Sequence, residues 1–173
     1  FSPDSQSIIY TNTNDGAKLY KKSASDNSNG IPITSVSSRM TTVSPDGKYI
    51  VYTNSSDGVK LYKKSINDSA DGIPITSITG YNAKFSPDGK YIIYEYDYYG
   101  RKLYKKNADD SADGNQITSS DANINTPAIS LDWKYVIYTD MNDGWKLYKK
   151  SIENDSERTL LISGWWIYPT FSP

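Results

Sequence analysis

An all-β fold, built from repeated antiparallel sheets, follows from three features of the 173-residue sequence. First, Leu19-Tyr20-Lys21-Lys22 recurs as Leu61-Tyr62-Lys63-Lys64, Leu103-Tyr104-Lys105-Lys106 and Leu147-Tyr148-Lys149-Lys150, at spacings of 42, 42 and 44 residues. Second, Phe1-Ser2-Pro3-Asp4 recurs in step as Val43-Ser44-Pro45-Asp46, Phe85-Ser86-Pro87-Asp88, the degenerate Ile129-Ser130-Leu131-Asp132, and Phe171-Ser172-Pro173. Third, the runs between these phrases are short, rich in β-branched and aromatic residues, and lack a helical period.

Each repeat reads as four strands. Lys48-Tyr49-Ile50-Val51-Tyr52-Thr53 is the first long run, and Ser55-Ser56-Asp57-Gly58 turns it back, Gly accepting positive φ at little cost. Val59 to Lys64 is the next strand, Asn67 to Gly72 a polar loop, and Ile73-Pro74-Ile75-Thr76 a short strand. Asn82 to Ser86 closes the unit before the Pro-Asp-Gly turn. Four short strands per roughly 42 residues is the blade length of a β-propeller. The expected fold is a β-propeller of four four-stranded antiparallel blades, at about 1–42, 43–84, 85–128 and 129–170, with 171–173 beginning a fifth repeat.

The run Phe85-Ser86-Pro87-Asp88-Gly89-Lys90-Tyr91-Ile92-Ile93-Tyr94, the Asp-Gly turn and the Leu-Tyr of the third strand resemble the TolB-like, or PD40, branch of WD40-like β-propeller repeats. The resemblance covers the whole chain in four in-phase copies. Departures are Asp4-Ser5-Gln6 in the first copy and, in the fourth, Asp132-Trp133-Lys134 and Glu157-Arg158. The family includes periplasmic interaction proteins and non-catalytic domains of peptidases, so the resemblance implies a fold rather than one function. It also implies a strand order, with the Phe-Ser-Pro strand innermost and the Ile-Pro-Ile-Thr strand outermost. Pro lacks the N–H that a central strand donates, so Pro32 and Pro74 suit an outer edge. Blades stacked face to face bury both sides of a middle strand, which accounts for continuous runs such as Ile50-Val51 and Ile92-Ile93.

Two forms of closure stay open: a ring of four blades, or an arc of a larger or multi-chain propeller. Trp166 to Phe171 suits the missing inner strand of the first blade, but residues 1–3 and 171–173 then claim the same place, which favours the arc or an assembly. The first residue is Phe rather than Met, so the chain is expected to be trimmed or processed.

The expected ligand-binding surface lies on one face. Loops between second and third strands (Thr11–Gly16, Thr53–Gly58, Glu95–Gly100, Thr139–Gly144) share it with the loops that lead from an outermost to the next innermost strand. The second set is the least repetitive part of the chain, and loops on a rigid scaffold are free to carry function. Candidate binding residues are Arg39, Tyr81, Asn82, Tyr98, Tyr99, Asn125, Trp165, Trp166 and Tyr168, with Tyr96 nearby. Aromatics amid amides and carboxylates suit a protein partner or a glycan. The fourth outer strand, Thr159 to Ser163, carries neither Pro nor charge; Leu160, Leu161 and Ile162 are the candidate interface to another subunit or domain.

Other chemistries find little support. No His and no Cys leaves out Ser-His-Asp and Cys-His catalysis, disulfides and Cys/His zinc sites. The loops at Ser25–Gly30, Asn67–Gly72 and Asp109–Gly114 are oxygen-rich, but no closing Glu stands where calcium needs one. Glu95 with Asp97 is the sole carboxylate pair on the candidate face, in an open loop that gives a general acid little shielding. A net charge of −1 argues against nucleic acid, and the Lys-Lys pairs read as a solvated face balanced by Asp-rich loops. No apolar run approaches the roughly 20 residues that span a bilayer. The expectation is a non-catalytic binding or structural scaffold without cofactor or metal, extracellular or periplasmic, acting on a protein partner, a glycan or copies of itself.

Overall fold

A computed structural model describes residues 1–97, 99–153, 157–164 and 169–171. The chain forms four antiparallel sheets in sequence order. The first holds β1 (Ser7–Asn12), β2 (Lys18–Ser23) and β3 (Ile31–Pro32). The second holds β4 (Ser38–Val43), β5 (Tyr49–Asn54), β6 (Lys60–Ser65) and β7 (Ile73–Thr79). The third holds β8 (Tyr81–Phe85), β9 (Tyr91–Asp97), β10 (Arg101–Asn107) and β11 (Asn115–Gln116). The fourth holds β12 (Ile124–Ile129), β13 (Tyr135–Asp140), β14 (Lys146–Ser151) and β15 (Thr159–Ile162). Each is a simple meander: β4 and β8, which run into Val43-Ser44 and Phe85-Ser86, lie at one edge of the second and third sheets, and the Pro-bearing β3 and β7 lie at the other edge of the first and second, as expected. The sequence repeat is one strand out of phase with the sheets: β4 precedes the Val43-Ser44-Pro45 phrase yet pairs with β5 behind it.

The chain divides into two compact units, Phe1–Tyr94 with Lys106–Asp113, and Glu95–Lys105 with Gly114–Pro173. In the first unit the core lies between the first two sheets. Leu19 and Ile33 of the first meet Ile50, Tyr52 and Ile66 of the second. Ile50 and Val51 are adjacent and both fully buried, as residues on opposite faces of a strand covered on both sides must be. In the second unit Val136, Ile137 and Tyr138 repeat that pattern in β13.

One turn recurs with little change. The Ser44 hydroxyl donates to Asp46 at 2.6 Å and accepts from the Tyr49 N–H at 2.9 Å, while Asp46 accepts from the Lys48 N–H at 3.1 Å. Ser86-Asp88-Lys90-Tyr91 and Ser130-Asp132-Lys134-Tyr135 make the same bonds. The Ser side chain thus closes the hairpin that the Pro-Asp-Gly phrase opens. Degenerate copies keep it because it needs only Ser and Asp: Leu131 and Trp133 replace Pro and Gly without breaking it.

A second device locks neighbouring sheets. The Asp71 carboxylate accepts from the Ser35 N–H at 2.5 Å and from the Ser35 hydroxyl. Asp113 does the same for the Ser77 N–H, at 2.6 Å, and the Ser77 hydroxyl, and also takes the Ile78 N–H at 3.3 Å. The backbone carbonyls of Asp71 and Asp113 in turn accept from the hydroxyls of Tyr52 and Tyr94. The Asp-Gly that ends each of these outer loops therefore binds a neighbouring sheet and its own.

Candidate interaction surface

Within each unit, backbone bonds join segments at or beside the two loop sets. In the first unit the Ser38 N–H donates to Ala17 O, Ser55 N–H to Ser37 O and Gly80 N–H to Val59 O, each at 2.9 Å. In the second unit the Met141 N–H donates to Asn123 O at 2.8 Å. The turns joining β1 to β2, β5 to β6 and β13 to β14 share one build. Asn12, Asn54 and Asp140 cap them by accepting from the N–H two residues on. Asp15, Asp57 and Asp143 each hold a Lys ammonium (Lys18, Lys60, Lys146) and a Tyr hydroxyl (Tyr20, Tyr62, Tyr148). The phenol bond holds the Asp15 and Asp57 carboxyls below their ordinary range, with the ammonium adding to it; at Asp143 the ammonium contributes most.

The third sheet departs from this build. Tyr99 stands where the others have Asp, so Tyr104 instead points its hydroxyl at Gln116 Oε1, at 3.3 Å, and Tyr96 packs edge-on against its ring at 5.6 Å. Arg101 Nε lies 3.4 Å from Glu95 and 3.8 Å from Asp97. This carboxylate pair is thus bridged by a guanidinium. Tyr99 itself is 84% exposed.

The innermost strands carry a feature that periodicity does not show. Pairing of β4 with β5 slips between Arg39 and Thr42, and pairing of β12 with β13 slips between Asn125 and Ala128. At the matching positions Met40, Asn82 and Thr126 take left-handed φ of 51°, 47° and 45°. Such bulges re-aim side chains and collect at functional rims. In the first unit β4 and β8 pack against each other; Arg39, Met40 and Asn82 are exposed and Tyr81 half-buried. In the second unit Asn125 is half-buried opposite Thr139, whose hydroxyl donates to its carbonyl at 3.2 Å. Tyr98, Trp165, Trp166 and Tyr168 lie outside the described residues. Leu160, Leu161 and Ile162 form the open edge β15, at 47%, 46% and 50% exposure.

The Lys-Lys pairs are not a solvated face. Lys64, Lys106 and Lys150 are buried. Lys64 Nζ donates to the carbonyls of Ile33 and, at 2.9 Å, Asp68; Lys106 Nζ donates to those of Asn107 and Asp110. Burial pushes both ammonium pKa values down, with the nearby Asp carboxylates opposing. The preceding lysines reach forward one sheet: Lys21 to Asn67 at 3.2 Å, Lys63 to Asp109 at 2.6 Å and Lys105 to Glu153 at 2.6 Å. The reason is strand geometry: adjacent residues point to opposite faces, so Lys63 reaches the third sheet while Lys64 reaches back to Ile33 of the first. Among the described residues no group of three or more His, Cys, Asp or Glu is placed to hold a metal.

The fourth sheet replaces the Asp-Gly of the outer loop by Glu157-Arg158. Arg158 stacks over the Tyr148 ring at 4.1 Å and binds the buried Asp140 carboxylate. The Tyr138 hydroxyl, which corresponds to those of Tyr52 and Tyr94, is buried without a hydrogen-bond partner among the described residues.

Solved structures share this architecture. A structure described as a putative TolB from Agrobacterium tumefaciens superposes with a TM-score of 0.74 at 16% identity, over 95% of this chain and 60% of its own. The chain has the TolB-type β-propeller fold. TolB from Acinetobacter baumannii matches with a TM-score of 0.67 at 19% identity, over 93% of this chain and 42% of its own. A puromycin-hydrolysing peptidase of Mycobacterium tuberculosis matches with a TM-score of 0.66 at 14% identity, through 28% of its own length. The chain thus spans 60% or less of the length of these structures. No family model and no curated protein matches the sequence.

Proposed function

We propose that this TolB-type propeller chain is a non-catalytic protein-interaction scaffold, working at the cell envelope or outside the cell. The observation that carries the reading is a division of labour. The Asp, Lys and Tyr side chains that recur from sheet to sheet are used in turns and sheet-to-sheet bonds. The residues that do not recur stand exposed within each unit: Arg39, Met40 and Asn82 in the first, and Tyr99 in the second. Arg and Tyr are the usual anchors of protein interfaces. The location rests on the TolB-like resemblance and on a surface rich in Ser, Thr, Asn and Tyr. The open edge of β15 is a second place for a protein strand to add.

A glycan is the alternative ligand, favoured by Tyr99 at 84% exposure and by Tyr81 beside Asn82, since an aromatic ring stacks on a sugar face while an amide bonds its hydroxyls. Affinity capture from envelope extract, with the wild type and with Arg39→Ala/Tyr81→Ala/Tyr99→Ala, separates the two. A specific protein lost with the triple variant is the expected result. Binding on a glycan array, lost with the same variant and with no protein captured, would move the assignment to a lectin.

A further inference from the structure

The repeated interface makes the last sheet's outward face readable. Between the first and second sheets, the residue that follows the strand partner of the Leu-Tyr tyrosine is Ile33, in one cluster with Ile50 and Tyr52 of the next sheet. Its equivalents Ile75 and Ile117 are 3% and 7% exposed. The fourth equivalent, Leu161, is 46% exposed. The polar half of the interface repeats as well. The forward-reaching Lys21, Lys63 and Lys105 have a fourth equivalent in Lys149, whose ammonium lies 3.8 Å over the Tyr135 ring. The clamped Ser35 and Ser77 have an exposed equivalent in Ser163.

The complementary half is present on the first sheet. Ile50, Ile92 and Val136 are fully buried, as are Tyr52, Tyr94 and Tyr138, but their equivalents Ile8 and Tyr10 are half-covered. The positions that receive the lysine and the serine in later sheets are held by the exposed Ser25 and Asn29. Both are oxygen acceptors, as Asn67 already is toward Lys21.

From this we infer that the outward face of the fourth sheet receives the first sheet of a second copy of the chain, Leu161 packing on Ile8 and Tyr10, Lys149 reaching Ser25 and Ser163 reaching Asn29. The contact is head-to-tail, so it closes as a ring of copies or runs on as a filament. It names a partner for the scaffold proposed above and rests on that reading.

The chain has no Cys, so single cysteines can be introduced cleanly. Leu161→Cys and Ile8→Cys variants are treated with a short bis-maleimide, alone, mixed and combined in one chain, while sedimentation follows the wild-type mass against concentration. Crosslinked dimer is expected in the mixture and not in either variant alone, with loss of that dimer on adding Lys149→Glu to the Leu161→Cys variant. The wild-type mass is expected to rise in multiples of 19.4 kDa. Equal crosslinking of each variant alone, closure within a monomer by the double variant, or a monomer mass throughout would overturn it. Loop-face binding by a monomeric Leu161→Lys variant keeps failure of assembly distinct from failure of the scaffold reading.

Discussion

Lys63 Nζ lies 2.6 Å from Asp109 Oδ1, 46 residues along the chain and one sheet further on. The lysine side chain is 14% exposed and the aspartate 86%, so one end of the pair is fully wet. Solvent screening leaves such a pair worth about 0–1 kcal/mol. The Asp113 clamp on Ser77 is of another kind, because one carboxylate holds two backbone N–H groups and a hydroxyl. Charge-assisted bonds of that sort contribute about 1.5–3 kcal/mol when lost together.

The expected outcome is therefore a ranking. Urea unfolding of Lys63→Ala, Asp109→Ala and the double variant should give a coupling below about 1 kcal/mol that fades with salt. Asp113→Ala should cost about 2 kcal/mol and keep most of that cost in salt. A coupling larger than the Asp113 loss would reverse this account of what joins the sheets.

Much of this architecture is legible in the chain because its signals are local and repeated. Ser-Pro-Asp marks a hairpin whose bonds close within six residues, and Pro32 and Pro74 can only sit at an edge. The roles of the lysines are less legible. Lys63 and Lys64 look alike in sequence, and only period-two geometry with both faces covered tells that one bridges forward and the other is buried. A signal existed: Asn67, Asp109 and Glu153 recur at the same place in the unit as oxygen-bearing partners. The third loop also reads differently in three dimensions. Tyr96 is engaged by Tyr104, whose hydroxyl is released from turn duty because Tyr99 replaces the turn Asp.

The three equivalent tyrosines make a controlled comparison. Tyr52 and Tyr94 donate to the carbonyls of Asp71 and Asp113, whereas the Tyr138 hydroxyl is buried without a partner among the described residues. Burial raises the pKa of that phenol, and the neighbouring Arg158 guanidinium offsets part of the rise. Tyr52→Phe and Tyr94→Phe should each cost about 1 kcal/mol, since each orphans a carbonyl. Tyr138→Phe should be neutral or stabilising, because a buried unpaired hydroxyl is a desolvation cost. A Tyr138→Phe loss equal to the other two in thermal unfolding would show that the hydroxyl is bonded after all.

Two glycines with the same sign of φ should respond differently. Gly58 has φ +61° with nothing within 4 Å of a built Cβ, so Gly58→Ala should cost only the left-handed penalty of about 1–2 kcal/mol. Gly72 has φ +86°, and a Cβ there would lie 2.4 Å from Lys63 O and 2.7 Å from Lys64 Cβ. Gly72→Ala must move β6 backbone as well, and should cost at least about 2 kcal/mol more. Similar melting temperatures for the two variants would mean that the outer loop yields to the side chain.

Stability should respond to acid and to little else near neutrality. Asp46, Asp88 and Asp132 have carboxyls held below their ordinary range, first by the Ser hydroxyl and then by a backbone N–H; Asp57 is held down by Tyr62 and then Lys60. A folded-state pKa below the unfolded value means that the unfolded chain binds protons first as pH falls. The contribution is thus complete above the ordinary carboxylate value of about 3.9 and is lost as pH drops through the folded-state values. The chain has no His, so no side chain with an ordinary pKa near 6.5 adds a step between about pH 5 and 8. The melting temperature should be nearly level across that interval and fall steeply below about pH 4. Asp88→Asn keeps an acceptor but removes the titrating group, so its deficit relative to wild type should be largest at neutral pH and shrink in acid. A deficit that stays constant down to the acid limb would separate the turn's bonds from its charge.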